Sequence, residues 1–164
     1  MSAQKRRRTV IVTGAESRIG RSTAILLGEK GHQVLACGNK KKAMADLPRE
    51  TAPGGIIETH HSELKTNAEI KQALKRAQEL FGGFDALVTS ASRGHFQSVE
   101  EVKESQTRDL FDQNFFEPMR IIQQAIPVLR DAGSGTIVCL SSTAGRVALP
   151  MSGAYCATQY ALEG

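Results

Sequence analysis

The sequence predicts an α/β fold with three layers, in which a doubly wound parallel sheet lies between two layers of helices. Two observations support this prediction. Short apolar runs rich in β-branched residues alternate with helix-like segments along the chain, and Gly and Pro residues separate them. Alternation at this spacing favours right-handed crossovers between parallel strands. The length of 164 residues corresponds to one domain.

The first half of the chain contains three predicted strands and two predicted helices. Residues 9–13 form a β-branched strand that ends at a glycine, and the apolar residues that follow support a helix over 20–30. A second apolar run predicts a strand at 33–37. The segment 40–47 is a short helix that Pro48 closes. A Pro-Gly-Gly turn then precedes a weak strand at 56–59.

The second half continues the same alternation. Apolar residues at three- and four-residue spacing predict a helix over 66–81, which two glycines end. A strand follows at 86–90. A long helix covers about 103–130, where Pro118 and Pro127 are expected to bend it. After a Gly-Ser-Gly turn, 136–140 form the fifth strand.

Composition is that of a soluble globular protein, with 40% hydrophobic and 23% charged residues. No apolar run reaches the length that spans a bilayer, so we expect no membrane span. The three cysteines have no metal-type spacing, and neither do the four histidines. We interpret the cysteines as buried reduced thiols of a cytoplasmic protein, and we expect no metal.

Two motifs carry the functional prediction. The first is the segment 13–20, Thr-Gly-Ala-Glu-Ser-Arg-Ile-Gly, which follows the first strand and opens a helix. Glycines there let the backbone approach a pyrophosphate, and a helix N-terminus supplies free N–H groups and partial positive charge. The second motif is Tyr155-Cys-Ala-Thr-Gln159, which lies thirteen residues after Ser142.

Together the two motifs resemble the short-chain dehydrogenase/reductase family, whose members have a Rossmann-like fold and use a Ser and a Tyr-x-x-x-Lys pair in catalysis. The resemblance covers residues 8–164, and family members run on well beyond this length. We therefore expect a basic tail at 1–8 and an incomplete NAD(P)-binding domain at 9–164. On this view the chain is C-terminally truncated at the start of the helix that bears Tyr155, and the fifth strand is left as an open edge.

The resemblance implies that four segments and the catalytic tyrosine bind the cofactor. The expected cofactor-binding residues are Gly14, Ser17, Arg18, Ile19, Gly20, Asn39, Lys40, Glu63, Leu64, Ser90, Ala91, Ser92 and Tyr155.

Cofactor choice is predicted from the end of the second strand. An acidic residue there would hydrogen-bond the ribose 2′-OH of NAD and repel a 2′-phosphate. The chain has Gly38, Asn39 and Lys40 instead, which gives room and no carboxylate. Arg18 replaces the middle glycine of the family pattern and suits a phosphate contact, although it could instead obstruct the loop. The sequence thus favours NADP(H) over NAD(H). The alternative for residues 40–42, three lysines, is a solvated helix start.

Three residues match the catalytic pattern of the family. The resemblance implies that Asn114 holds a relay water, that Ser142 orients the substrate carbonyl, and that Tyr155 protonates it; Ser141 is the alternative to Ser142. In the family a lysine makes the tyrosine a stronger acid and binds the nicotinamide ribose. Gln159 takes that position here. Because an amide is neutral, we expect weak or absent redox activity.

The segment 145–164 resembles members that act on lipophilic substrates, so the expected partner is a small carbonyl or alcohol. Full-length members are homo-oligomers. One alternative is a catalytically silent dinucleotide-binding module or a non-functional fragment. A nucleic-acid-binding remnant based on the basic residues at 5–8 and 40–42 is a further alternative. It lacks interleaved aromatic residues for base stacking, and we expect no nucleic-acid partner.

Overall fold

The computed structural model describes residues 7–51, 53–90 and 92–164, and this part of the chain contains five strands and six α-helices. The strands are β1 (Thr9–Thr13), β2 (Gln33–Gly38), β3 (Ile56–His61), β4 (Ala86–Thr89) and β5 (Thr136–Cys139). The helices are α1 (Arg18–Glu29), α2 (Lys41–Met44), α3 (Asn67–Phe81), α4 (Glu104–Phe111), α5 (Glu117–Asp131) and α6 (Gly153–Glu163). Residues 1–6 of the expected basic tail lie outside the described residues.

The five strands form one parallel sheet in the order β3-β2-β1-β4-β5. The chain winds outward from β1 through β2 and β3, and then crosses back to β4 on the other side of β1. This reversal leaves a crevice at the carboxyl ends of β1 and β4, where ligands bind in open α/β sheets. The predicted doubly wound parallel sheet is confirmed.

Alternate residues of the central strands supply two separate hydrophobic cores. Ile11, Leu35 and Leu87 face the side that α3 and α5 cover. Val12, Ala36 and their neighbours face α1 and the segment around α2. Because a strand turns successive side chains to opposite faces, fully buried strands read as continuous apolar runs. The predicted three-layer arrangement therefore follows directly from the sequence pattern.

The strand at the β5 edge differs from the others in burial. Val138, on β5, is 42% exposed, whereas β1 is buried throughout. The expected exposed edge is present. It also makes Cys139 exposed, so the prediction that all three cysteines are buried is wrong at this position and holds only for Cys37 and Cys156.

The predicted long helix over 103–130 consists of three parts. A π-helical turn at Asp112–Phe116 separates α4 from α5. Pro118 has no N–H to donate to the carbonyl of residue 114, so a regular α-helical hydrogen bond is missing at this point, and a wider turn is the local solution. The wide turn places Asn114 inside the protein, where it is 1% exposed.

The predicted helix over 40–47 is also shorter than expected. It ends at Met44, and a separate 3-10 turn at Leu47–Arg49 holds Pro48 in its first turn. Proline is tolerated there because the first N–H groups of a helix have no internal partner. Among the described residues, none of the helices has both the length and the apolar character needed to cross a bilayer.

Candidate functional site

The loop between β1 and α1 is a preformed anion cradle at the crevice. Gly14 adopts a positive φ of 64°, which favours glycine at the start of the turn. Ser17 is the N-cap of α1, and its side-chain oxygen accepts a hydrogen bond of 3.1 Å from the Gly20 N–H. Its own N–H donates to the Gly14 carbonyl at 2.9 Å. The loop therefore holds the positive end of the α1 dipole toward the crevice.

Gly20 fixes how closely α1 approaches the sheet. A Cβ at this residue would meet the Gly14 carbonyl oxygen and lie 2.5 Å from the Ser90 hydroxyl oxygen. That hydroxyl donates a buried hydrogen bond of 2.7 Å to the Thr13 carbonyl. Ser90 therefore ties the end of β4 to the end of β1. Its hydroxyl donates this internal bond, and its predicted contact with a cofactor stays a prediction.

A cleft of about 530 Å³ opens beside the cradle. Its walls come from the ends of β1, β2 and β4, from the loop after β3, and from the π-helical turn with the start of α5. Six of the predicted cofactor-binding residues line it: Gly14, Ser17, Asn39, Lys40, Glu63 and Ser92. The structure therefore brings together residues from four separate segments.

Other predicted cofactor-binding residues occupy different places. Arg18 and Ile19 are exposed at the start of α1. Gly20 is buried against Gly14 and Ser90. Leu64 is buried with a φ of 55° and lines a smaller pocket that shares Gly14 and Asn39 with the cleft. Ala91 lies outside the described residues.

Sequence reasoning missed several residues of the cleft, of which Glu16 is the most informative. It was an unassigned position of the glycine-rich pattern, yet its carboxylate lies against Gly38 at the end of β2. The expectation of room and of no carboxylate at that point is therefore wrong. The sequence signal that could have indicated this is the acidic residue itself, because the rest of the loop has the composition of one that approaches a phosphate-containing ligand.

Two further acidic groups line the cleft. Glu63 is paired with Lys65 at 2.7 Å, which raises the pKa of that lysine. Burial raises the pKa of Glu117 to about 7, against the opposing effect of Arg120. The part of the cleft near α5 therefore changes charge close to neutral pH.

Asn114 connects the β4 loop to α6. Its side-chain oxygen accepts a hydrogen bond of 2.8 Å from the Arg93 N–H. Its amide donates to the Arg93 carbonyl and to the Thr158 hydroxyl, each at 3.0 Å. Thr158 in turn donates to the Tyr155 carbonyl at 2.7 Å. The predicted residue Asn114 is thus placed beside the helix of the predicted catalytic tyrosine, and its amide organises both backbones.

The predicted serine lies in the turn before α6. The Ser142 hydroxyl accepts a hydrogen bond of 3.2 Å from the Ala144 N–H. Ser141 instead donates to the Glu163 carboxylate, which lowers the pKa of that group. A Cβ on Gly145 would lie 3.0 Å from the Gln159 carbonyl, so this turn packs closely on α6. Both hydroxyls therefore have a hydrogen bond within the protein, and the choice of Ser142 over Ser141 stays a prediction.

Gln159 lies four residues after Tyr155, and therefore on the same face of α6. The side chain is 1% exposed, and its amide nitrogen has a long hydrogen bond of 3.4 Å to the Thr158 hydroxyl. The side-chain oxygen is buried without a hydrogen-bond partner among the described residues. A neutral amide thus occupies a buried place beside the tyrosine.

These features fit a dinucleotide. The cradle at Gly14 and Gly20 excludes side chains, the N-terminus of α1 opens on a polar cleft, and the cleft lies at the point where the strand order reverses. Glu16, which lines the cleft, has a buried side-chain oxygen with no hydrogen-bond partner among the described residues. The arrangement can therefore bind a pyrophosphate in the cleft beside the N-terminus of α1.

Comparisons with known proteins agree with this geometry. The family model described as short chain dehydrogenase matches residues 8–164. The chain is 28% identical to the mouse (Mus musculus) dehydrogenase/reductase SDR family member 7B, over 98% of this chain and 51% of that protein. It is 32% identical to the 3-oxoacyl-[acyl-carrier-protein] reductase of Staphylococcus aureus, over 98% of this chain and 66% of that protein. The chain therefore spans about half to two thirds of the length of these relatives.

The same similarity is seen at the level of structure. A short-chain dehydrogenase from Streptomyces avermitilis superposes with a TM-score of 0.87 at 30% identity, over 96% of this chain and 58% of that one. The match of the family model across nearly the whole chain, the shared fold and the glycine cradle lead to one conclusion. This chain belongs to the short-chain dehydrogenase family.

Proposed function

We propose that the chain binds a nicotinamide dinucleotide and, as part of the whole protein, transfers hydride between it and a small carbonyl or secondary alcohol at a reduced rate. The observation that carries the proposal is the cradle in which Gly20 packs against Gly14 and Ser90 at the opening of the cleft. Close approach of the α1 N-terminus to the ends of the strands brings its free N–H groups to the place where a pyrophosphate binds in this kind of fold.

The cofactor supplies the hydride, and the residues of this chain hold and protonate the substrate. Ser142 orients the carbonyl oxygen by a hydrogen bond, and the hydroxyl of Tyr155 gives it a proton as the bond to hydride forms. Asn114 keeps α6 and the β4 loop in register through its three hydrogen bonds. Small errors in such positioning cost much of the rate.

Gln159 accounts for the reduced rate. Its amide is buried and carries no charge, so it stabilises a developing tyrosinate less than an ammonium would. The alternative function, a catalytically silent dinucleotide-binding module, is favoured by the same observation. The two differ only in whether bound reduced cofactor is oxidised by a carbonyl.

A lipophilic carbonyl or alcohol is the proposed substrate class. The Staphylococcus aureus relative is named for reduction of a 3-oxoacyl chain, which is a carbonyl on an aliphatic group. Exposed apolar side chains around the turn before α6 support the same class, since Val147, Leu149 and Met151 are all more than 40% exposed. The whole protein is proposed to form homo-oligomers, as other members of the family do.

Cofactor preference depends on the groups that surround Gly38 at the end of β2. The preference for NADP(H) that the sequence predicts depended on open, uncharged space beside Gly38, and the Glu16 carboxylate fills that space. Lys40 lines the cleft and supports NADP(H), whereas Arg18 is exposed at the start of α1. NAD(P)-dependence is therefore the proposal that the cleft as a whole supports.

Fluorescence titration with NADH and with NADPH, followed by addition of a carbonyl panel, tests the proposal. Saturable binding followed by slow oxidation of the bound cofactor is expected. Binding without oxidation by any aliphatic or aromatic carbonyl would leave the silent module as the function. Failure of a folded chain to bind either cofactor would refute both.

A further inference from the structure

The Glu16 carboxylate lies at the end of β2, although Glu16 belongs to the loop between β1 and α1. A Cβ built on Gly38 would meet the Glu16 side-chain oxygen Oε2 and lie 2.9 Å from its carboxyl carbon. The Met44 sulfur lies at 2.9 Å from the same point. The carboxylate therefore occupies the space in which a side chain at residue 38 would begin. Glycine at 38 is what allows Glu16 to lie there.

The backbone of the loop holds Glu16 in this place. The Ala15 N–H donates to the Cys37 carbonyl at 2.9 Å, which pins the residue before Glu16 to the end of β2. The Ser17 N–H bond to Gly14 fixes the residue after it. The negative charge of Glu16 also contributes, after burial, to raising the pKa of the Cys37 thiol to about 12. The carboxylate is therefore close to β2 and positioned by main-chain bonds.

One oxygen of this carboxylate has an unfilled hydrogen-bonding capacity. Oε2 is buried and has no hydrogen-bond partner among the described residues. An ionised carboxylate accepts several hydrogen bonds, and leaving a buried acceptor unpaired is costly. Glu16 also lines the cleft, together with Asn39 and Lys40. A ligand hydroxyl that enters the cleft beside β2 would supply the missing donor.

The positive charges near Glu16 do not fully neutralise its carboxylate. Lys40 is exposed, and Lys65 is already paired with Glu63. Glu117 lines the same end of the cleft, and Asn39 is neutral. A dianionic group placed beside Gly38 would therefore meet the Glu16 carboxylate directly, while Lys40 and Arg93 line the same cleft.

We propose that Glu16 is the residue that determines cofactor specificity, by accepting hydrogen bonds from the adenosine ribose hydroxyls and excluding a 2′-phosphate, so that this chain prefers NAD(H). The inference rests on the dinucleotide site of the proposed function. In dinucleotide-binding folds an acidic residue that follows β2 in sequence performs this role. Here the acid comes from the loop after β1 and reaches the same place in space, which reverses the preference predicted from the sequence.

The test is isothermal titration calorimetry of the chain with NADH and with NADPH, in the wild type and in variants. The Glu16→Gln variant removes the charge and keeps the shape, and Glu16→Asp keeps the charge. Glu29→Gln, at the exposed far end of α1, is the matched control. A hydrogen bond to a charged group changes affinity by about tenfold or more, and repulsion of a phosphate of charge about −2 adds to this.

Wild-type protein is expected to bind NADH at least about tenfold more tightly than NADPH. Glu16→Gln should reduce this ratio at least about tenfold, and Glu29→Gln should leave it unchanged. Preference of the wild type for NADPH, or an unaltered ratio in a folded Glu16→Gln variant, would overturn the inference while leaving the dinucleotide site intact. If that variant does not fold, the wild-type ratio and that of Glu16→Asp decide the question. Binding of neither cofactor by folded wild type would refute the site itself.

Discussion

Replacing Gln159 with lysine is expected to increase carbonyl reduction by about tenfold to a hundredfold. The residue lies four positions after Tyr155 in α6, and residues at this spacing have Cβ atoms about 5–6 Å apart. An ammonium about 5 Å from the tyrosine oxygen interacts with a negative charge by about 3 kcal/mol at an effective dielectric near 20. That energy corresponds to about a hundredfold in rate.

Burial reduces the expected gain. Gln159 is 1% exposed, so a lysine in its place loses hydration and is less readily charged. The unpaired oxygen of Gln159 disappears in the variant, which partly offsets this cost. The lower end of the range, about tenfold, applies if desolvation dominates.

The assay is single-turnover oxidation of bound NADH or NADPH by an aliphatic ketone in excess, followed by loss of cofactor absorbance. Gln159→Met is the matched control, because it keeps the approximate volume and adds no charge, and it should give no gain. The double variant with Tyr155→Phe should lose the gain, since the lysine acts through the tyrosine. Equal rates for wild type and Gln159→Lys, or a gain that survives Tyr155→Phe, would refute the reasoning.

Three other outcomes are expected. Gly20→Ala should abolish dinucleotide binding and lower the melting temperature, because the added methyl group would meet the Ser90 hydroxyl and the Gly14 carbonyl. Calorimetry measures the binding and thermal unfolding measures the melting temperature. Unchanged binding would contradict the role of this loop in holding the dinucleotide. Asn114→Leu should lower the free energy of unfolding in urea by about 2–4 kcal/mol, because its three hydrogen bonds, one buried and two partly buried, are lost; a change under about 1 kcal/mol counts against their role. Glu117→Gln should stabilise the protein at pH 8 and leave it unchanged at pH 4. Burial raises the pKa of Glu117 in the folded protein to about 7, above its ordinary value of 4.5. The protonated carboxyl group therefore stabilises the folded state fully below about pH 4.5, and this stabilisation is lost as the pH rises through 7. Solvent screening of this half-buried group keeps the gain in urea unfolding below about 2 kcal/mol, and equal effects at both pH values would contradict the shift.

Local pattern was enough to predict the sheet and most of its helices. The central strands are continuous apolar runs between glycine turns, and such runs leave few alternatives in an α/β protein. The predictions were incomplete where a single residue alters the local backbone, since a bend was expected at Pro118 but a break in the helix was not. Pro118 removes one helical hydrogen bond and converts a predicted continuous helix into two helices joined by a π-helical turn. Periodicity does not register such a change, because the apolar positions remain on one side.

Some residues of the candidate site could be predicted from local sequence pattern and others could not, because their partners depend on tertiary contacts. Gly14, Ser17, Asn39 and Lys40 were identified because each follows a strand, and parallel strands bring their carboxyl ends to one edge of the sheet. Ser90 was assigned to the cofactor, but its hydroxyl bonds the Thr13 carbonyl. A hydroxyl has several possible partners, and only the spacing of two strands selects one.

The family, the parallel sheet and the glycine cradle could be predicted from residue types alone, because these depend on a fixed order of residues along short segments. The carboxylate that stands at the end of β2 could not, because it is brought there by a tertiary contact. Glu16 and Gly38 are separated by a helix and a strand in sequence, yet a Cβ on Gly38 would meet the Glu16 carboxylate. The crossover that pairs β1 with β2 brings the two loops together, and no local pattern records a contact made through that pairing.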